Sequence, residues 1–402
     1  MVLFFYMKIL YIHQARKLRT GAHYINNITI QGLRKAGVEV DNIYPEEDLG
    51  YFHPLLKGMR NILFFFSLIE RKKDISSYSI IQGTTYTPLA FLRSNVPVIS
   101  MFGSTSYGFL KSVPALKKLE KEHSELAKIF YELKNKGIVS GLSSFIQPVR
   151  DISRIEFHVA KNSQKVIATS ENVKNELVRN GVPAEKIAVI WNGIENFWFR
   201  AKPRKRLRKK QAGIVYLGRM GEDAFTVKLK GVNRMIYIAR GFPQLDKTII
   251  GLTEKADIYS QIFKEIPKTF FYPNLKRRQI PKILKKRYGD IFINPSRYEG
   301  FCLSLIEAMS QGLVPVSFPV GVAPEIIKNG QNGYLVNSMR QMIFKINKLS
   351  QDKEQRTKMA AMAMETAKLF RAETMTQKYL EIYKSLSPSA NETQPDANLK
   401  II

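Results

Sequence analysis

Residues 290–312 constrain the fold more than any other stretch of the chain. Asp290-Ile-Phe-Ile-Asn294 is a short apolar run with β-branched content, the composition of a strand buried on both faces in a parallel sheet. Pro295 and Ser296 end it, because proline cannot donate to a ladder. A helix is predicted to run to Gln311, with Leu305, Ile306, Ala308 and Met309 as its apolar positions and Gly312 as its C-cap. Ser304 is its expected N-cap, and Glu307 completes a Ser-x-x-Glu capping box. A strand, a loop and a helix in that order build open α/β sheets, whose ligands bind beyond the carboxyl ends of the strands. Glu299 stands in that loop, with seven residues between it and Glu307. Gly300 allows close backbone approach, and the N–H groups of Phe301, Cys302 and Leu303 face the same crevice as the positive end of the helix. An anionic, hydroxyl-rich ligand such as a sugar diphosphate suits that crevice.

The rest of the chain repeats the alternation. Predicted strands at residues 7–12, 38–43, 79–81, 96–100, 165–169 and 186–190 alternate with helices such as 25–36 and 171–179, the latter capped by Ser170. Strands at 214–217, 248–250, 269–272 and 290–293 begin again after the basic run at 202–210. Two doubly wound domains are expected, residues 1–198 and 199–370. Met7-Lys-Ile-Leu-Tyr-Ile makes a natural first strand, with residues 1–6 an upstream start or a short extension. Residues 387–402, with Pro388, Pro395 and several Asn, read as a disordered tail.

With 402 residues and 45% hydrophobic content, the chain can bury such cores. A single cysteine excludes an intrachain disulfide framework and fits a reducing, cytoplasmic compartment. Five scattered histidines offer no pair at metal-ligand spacing, so no metal site is expected. No apolar run reaches the length of a spanning helix. Charge is the second strong feature: 63 basic against 34 acidic residues gives +29, and so an anionic partner. Basic clusters fall at 202–210, 276–278 and 285–287. Residues 55–73 join Lys57, Arg60, Arg71, Lys72 and Lys73 to Leu55, Leu56, Met59, Ile62, Leu63 and Phe66 at near-helical spacing. Such a helix either packs its apolar stripe on the domain or lies in the interface of an anionic bilayer. Nucleic acid is the weaker partner, since no known binding motif accompanies the charge.

The stretch through Pro295, Ser296, Glu299, Gly300, Phe301, Leu303, Glu307, Ala308, Gly312, Pro315, Pro324 and Glu325 resembles the signature of retaining GT-B glycosyltransferases of family 4. Residues 165–194, with Ser170, Gly181-Val182, Lys186-Ile187 and Asn192-Gly193-Ile194, resemble the acceptor domain of the same family. Two departures stand in the signature: Cys302 replaces a glycine, and Gly312 to Pro315 holds one residue more than the pattern. The resemblance implies two Rossmann-like domains facing a central cleft, with a last helix at 371–386 crossing back onto the amino-terminal domain.

Gly218-Arg219 and Lys230-Gly231 form the second constellation, a cationic pair at the end of the second domain's first strand that can neutralise a diphosphate. It resembles the family's donor motif, with more residues than usual between Arg219 and Lys230; Lys228 is the alternative cation. By resemblance, Arg219 and Lys230 bind and stabilise the leaving diphosphate, Glu307 accepts hydrogen bonds from the ribose, and Glu299 holds the donor sugar hydroxyls with the 301–303 amides. Gly21 would line the facing wall. Phe102-Gly103 stands where the family often has His-Gly, and His13 and His23 are expected in core or acceptor-facing positions. The expected reaction moves a sugar, with retention, from a nucleotide-diphosphate sugar (UDP favoured) to a lipid-linked or cell-envelope glycan. It needs no cofactor or metal and takes place at the inner face of the plasma membrane. The alternatives are a basic binding protein on the same fold without transfer activity, and a nucleotide-sugar epimerase.

Overall fold

The computed structural model describes residues 7–14, 21–45, 60–139, 146–202 and 211–387. Residues 1–6, most of the basic run at 202–210, the tail from 388 and the first part of the 55–73 segment lie outside them. Two six-stranded parallel sheets carry the fold. The first comprises β1 (Lys8–Ile12), β2 (Glu39–Ile43), β3 (Ile80–Thr84), β4 (Val98–Phe102), β5 (Lys165–Ala168) and β6 (Ile187–Val189), in the order β2-β1-β3-β4-β5-β6. The second comprises β7 (Ile214–Arg219), β8 (Lys247–Leu252), β9 (Thr269–Pro273), β10 (Ile291–Asn294), β11 (Val314–Ser317) and β12 (Tyr334–Leu335), in the order β12-β11-β10-β7-β8-β9. Strand order reverses between β1 and β3 and between β7 and β10. Those are the switch points where a doubly wound sheet opens a ligand crevice.

Short strands suffice because both faces of each sheet are covered: every residue of β3, β4, β10 and β11 is buried. The final helix, Ala372–Leu386, leaves the second half and packs on the first. Met375, Tyr379 and Tyr383 join Ile9, Tyr11, Ile25 and Ile28 in one apolar cluster, and Tyr383 Oη donates to Gln82 Oε1 at 2.6 Å. Gly32, on the first helix (Gly21–Lys35), permits this approach, since a Cβ there would stand 2.1 Å from Thr376 Oγ1.

One crossing was not foreseen. The helices Leu116–Glu122 and Ser124–Asn135 belong by sequence to the first half, yet Leu119, Leu126, Ile129, Phe130 and Leu133 are buried with Val232, Met235 and Ile236 in the core of the second. Arg240 fixes this hairpin with two 2.8 Å bonds to Glu132, and Asn233 Nδ2 donates to the Leu126 carbonyl at 3.1 Å.

Within the 55–73 segment, the helix Arg60–Ser67 and the 3₁₀ turns Leu68–Ile75 are described. Ile62, Phe64, Phe65 and Leu68 pack into the first domain, while Leu63, Phe66 and Ile69 are 42%, 58% and 44% exposed in one row. Among the described residues, no helix is long and apolar enough to cross a membrane.

Candidate functional site

The two sheets present their carboxyl ends to one cavity of about 390 Å³, a size typical of small-ligand sites. Gly218 and Arg219, at the end of β7, line it with the loop that follows β10. Lys230 enters from a detour. Asp223 caps the short helix Ala224–Leu229 by accepting from Thr226 N at 2.8 Å, and Lys230 is the residue that ends it. Gly231 follows in the left-handed region (φ 63°), where a Cβ would stand 2.1 Å from the Pro295 carbonyl. That close approach brings Lys230 Nζ to both oxygens of Glu299, at 2.8 and 2.9 Å, and Ser296 Oγ donates to the same carboxylate at 2.9 Å. The extra residues between Arg219 and Lys230 are therefore a capped helical turn. Lys228 points elsewhere, donating to the Pro114 carbonyl at 2.9 Å over the Phe130 ring, and it holds the 116–135 hairpin rather than the cavity.

The loop from Gly300 to Leu303 is where the halves meet. A Cβ on Gly300 would stand 1.8 Å from the Gly103 carbonyl, and Ser170 Oγ donates to the Gly300 carbonyl at 2.6 Å. Gly21 stands across the cleft, where a Cβ would meet Leu303 Cδ1 at 3.1 Å. Tyr298 Oη donates to Glu176 at 2.8 Å and accepts from Thr105 N at 3.1 Å, so the segment bearing Glu299 is bonded to the other half.

The predicted capping box does not form. The helix is Leu303–Ser310, with Cys302 at its N-cap in the left-handed region (φ 81°) and no side-chain cap. The left-handed turn starts the helix one residue before Ser304, which leaves that hydroxyl no terminal amide to cap. Glu307 turns instead to a partner that the spacing did not reveal, the guanidinium of Arg277, whose Nη1 donates to Glu307 Oε1. Glu307 is buried, and burial raises its carboxyl above the ordinary range while Arg277 opposes the rise. The Cys302 thiol is pushed up to about 12 by burial and by the nearby Glu299, so it is neither a thiolate nor a nucleophile near neutral pH.

Neutral polar groups line the facing wall: Gln14, Thr84, Thr85, Ser104, Thr169 and Asn192. Thr85 takes a positive φ of 50°, and its Oγ1 and Asn192 Oδ1 are buried without a protein partner. His13 is buried against β2, its Nε2 2.8 Å from Asn42 Oδ1 and its ring stacked on Tyr44. The His23 side chain lies outside the described residues. Among the described residues no three His, Cys, Asp or Glu side chains are gathered as a metal would require.

A Glycosyltransferase Family 4 model matches residues 28–196, and a Glycosyl transferases group 1 model matches residues 200–366. A Klebsiella pneumoniae protein described as an uncharacterized 41.2 kDa protein in the cps region is 26% identical over 245 residues, 58% of this chain and 64% of that protein. The sulfoquinovosyl transferase SQD2 of Arabidopsis thaliana is 25% identical over 228 residues, covering 53% of this chain and 42% of that one. The matched stretches thus span less than two thirds of these relatives. In fold the chain is similar to sucrose-phosphate synthase of Thermosynechococcus elongatus (16% identity, TM-score 0.70, 94% of this chain and 99% of that one). It is likewise similar to HepE of Anabaena solved with UDP-glucose (19% identity, TM-score 0.63, 94% and 100%). With one model over each half, and with two parallel sheets and a helix crossing back between them, the chain belongs to the GT-B glycosyltransferases of family 4.

Proposed function

We propose that the protein transfers a sugar, with retention, from a nucleotide-diphosphate sugar to a cell-envelope or lipid-linked glycan, with a UDP-sugar as the favoured donor. One observation carries the reading: two carboxylates, each held by its own cation, face one interdomain cavity at the carboxyl ends of β7 and β10. Arg219 and Lys230 take the diphosphate and stabilise the charge that develops as the sugar leaves. Glu307 accepts from the ribose hydroxyls. Glu299 orients the sugar hydroxyls, with the amides of Phe301, Cys302 and Leu303 beside it and Gly218, Gly300 and Gly21 keeping the walls clear. Glu299 is bidentate to Lys230, which suits an orienting group better than a nucleophile. The acceptor hydroxyl then attacks from the face the diphosphate leaves, and a phosphate oxygen takes its proton. No metal enters these steps.

The UDP and UDP-glucose complexes of Anabaena HepE support the choice of donor, and the cps-region relative supports an envelope acceptor. The charge of +29 and the exposed row Leu63, Phe66 and Ile69 support a peripheral hold on an anionic membrane; it predicts cosedimentation with anionic vesicles that Phe66→Ser weakens. For the donor, a panel of nucleotide sugars is screened by thermal shift and then by turnover. One nucleotide sugar is expected to raise Tm and to yield a product of retained anomeric configuration once an acceptor is supplied. Conversion of the donor without acceptor would point to an epimerase, and no binding by any donor would overturn the reading.

A further inference from the structure

Arg277 lies in the basic run 276–278, which the sequence presents only as surface charge. Its side chain is nevertheless mostly buried, and all three guanidinium nitrogens are used. Nη1 donates to Glu307, while Nε and Nη2 donate to Glu195 at 2.8 and 2.9 Å. The guanidinium carbon also lies 4.9 Å from the Tyr24 ring centre and 5.3 Å from that of Trp198. These partners come from three places. Glu307 faces the cavity, Glu195 and Trp198 belong to the segment joining β6 to β7, and Tyr24 stands on the first helix of the opposite half.

We propose that Arg277 is a positioning residue that holds Glu307 ready for the nucleotide ribose and ties that readiness to the closed arrangement of the two halves. The inference rests on the donor reading above. A buried ion pair is by itself weak evidence of stabilisation, since apolar packing often serves as well. What favours a functional role here is the choice of partners. A planar fork can grip two carboxylates at fixed angles, and here one lines the donor cavity and the other lies on the interdomain link. Arg277 also opposes the rise that burial imposes on the Glu307 carboxyl and so favours the ionised form, which accepts from two ribose hydroxyls. Opening the cleft would draw Tyr24 away and loosen the grip on Glu307, so the ribose site is complete only when the halves are closed.

The test compares wild type with Arg277→Gln, Arg277→Lys and Glu195→Gln, using the nucleotide sugar that wild type turns over. Arg277→Gln is expected to raise KM for the donor by about tenfold or more, the scale of a lost charge-assisted hydrogen bond, with a smaller change in kcat. The acid limb of kcat/KM should move to higher pH, because Glu307 without its cation protonates more readily. Arg277→Lys should restore part of both effects. Glu195→Gln, which leaves the Glu307 bond in place but removes a like charge beside that carboxyl, should raise KM severalfold and move the acid limb to lower rather than higher pH, and it keeps the proposal open to refutation if Arg277→Gln does not fold. A wild-type pH profile and KM in Arg277→Gln, or no change in Glu195→Gln, would overturn the proposal while leaving the donor reading intact. Failure of wild type to bind or turn over any nucleotide sugar would overturn the donor reading and this proposal with it.

Discussion

Cys302 occupies a backbone conformation that favours glycine (φ 81°), which gives a physical reason for the glycine that the family pattern has there. The departure was visible in the sequence, but its cost was not, because φ cannot be read from residue order. Arg277 shows the same limit on a longer range. Its partners Glu195 and Glu307 are 82 and 30 residues away, so no local pattern could announce it. Glu299, by contrast, was legible, because loop, glycine and strand end lie within a few residues of one another. A second buried carboxyl allows a signed prediction. Glu156 accepts from Ser106 N at 2.8 Å and Ser106 Oγ at 3.0 Å, and burial pushes it up to about 7. The folded protein therefore holds this proton more tightly than the unfolded chain. Its contribution to stability is full below the unfolded value and is lost as pH rises from about 4.5 to about 7. Glu156→Gln should remove that loss, which amounts to roughly 3 kcal/mol. The expected result is a smaller fall in Tm between pH 5 and pH 8 than in wild type, and an identical fall would contradict it.

The elements differ in how legible they are in the sequence, for physical reasons. The strands β1 to β10 are all legible in the sequence, most as apolar runs bounded by turn residues and β2, Glu39-Val-Asp-Asn-Ile43, by its place after the helix that ends at Gly37. β11 and β12 are not, since Val314-Pro-Val-Ser317 contains a proline and Tyr334–Leu335 is only two residues long. The 116–135 hairpin carries a helical pattern, but which core it joins depends on contacts with residues about a hundred positions later. The crossing of Ala372–Leu386 could be expected from the family resemblance. Met375, Tyr379 and Tyr383 drive the docking, and a glycine on one helix facing a threonine on the other permits the close approach. Gly32→Ala should force these helices apart, at a cost of about 1–3 kcal/mol for an overpacked contact. A Tm several degrees below wild type is expected, and an unchanged Tm would show that Gly32 is not what lets the helix dock.

At the scale of the whole molecule, the halves are joined by more than their linker. The 116–135 hairpin crosses one way and the last helix the other, and Tyr298, Gly300 and Arg277 bridge the cleft between them. Such bracing fits an enzyme that must close two walls around a donor before water reaches the reacting bond. The cavity takes its charges from one half and neutral hydroxyl and amide groups from the other, a division that suits the proposed function, in which a diphosphate needs cations and an incoming sugar needs hydrogen-bond partners. In the proposed function the two carboxylates form a donor clamp, with Glu307 at the ribose end. Its most direct test is the turnover of a nucleotide sugar by Glu307→Ala, with folding verified by Tm. The clamp predicts a fall in kcat/KM of at least about a hundredfold, the scale of losing charge-assisted hydrogen bonds to both ribose hydroxyls. Wild-type kinetics in that variant would contradict it.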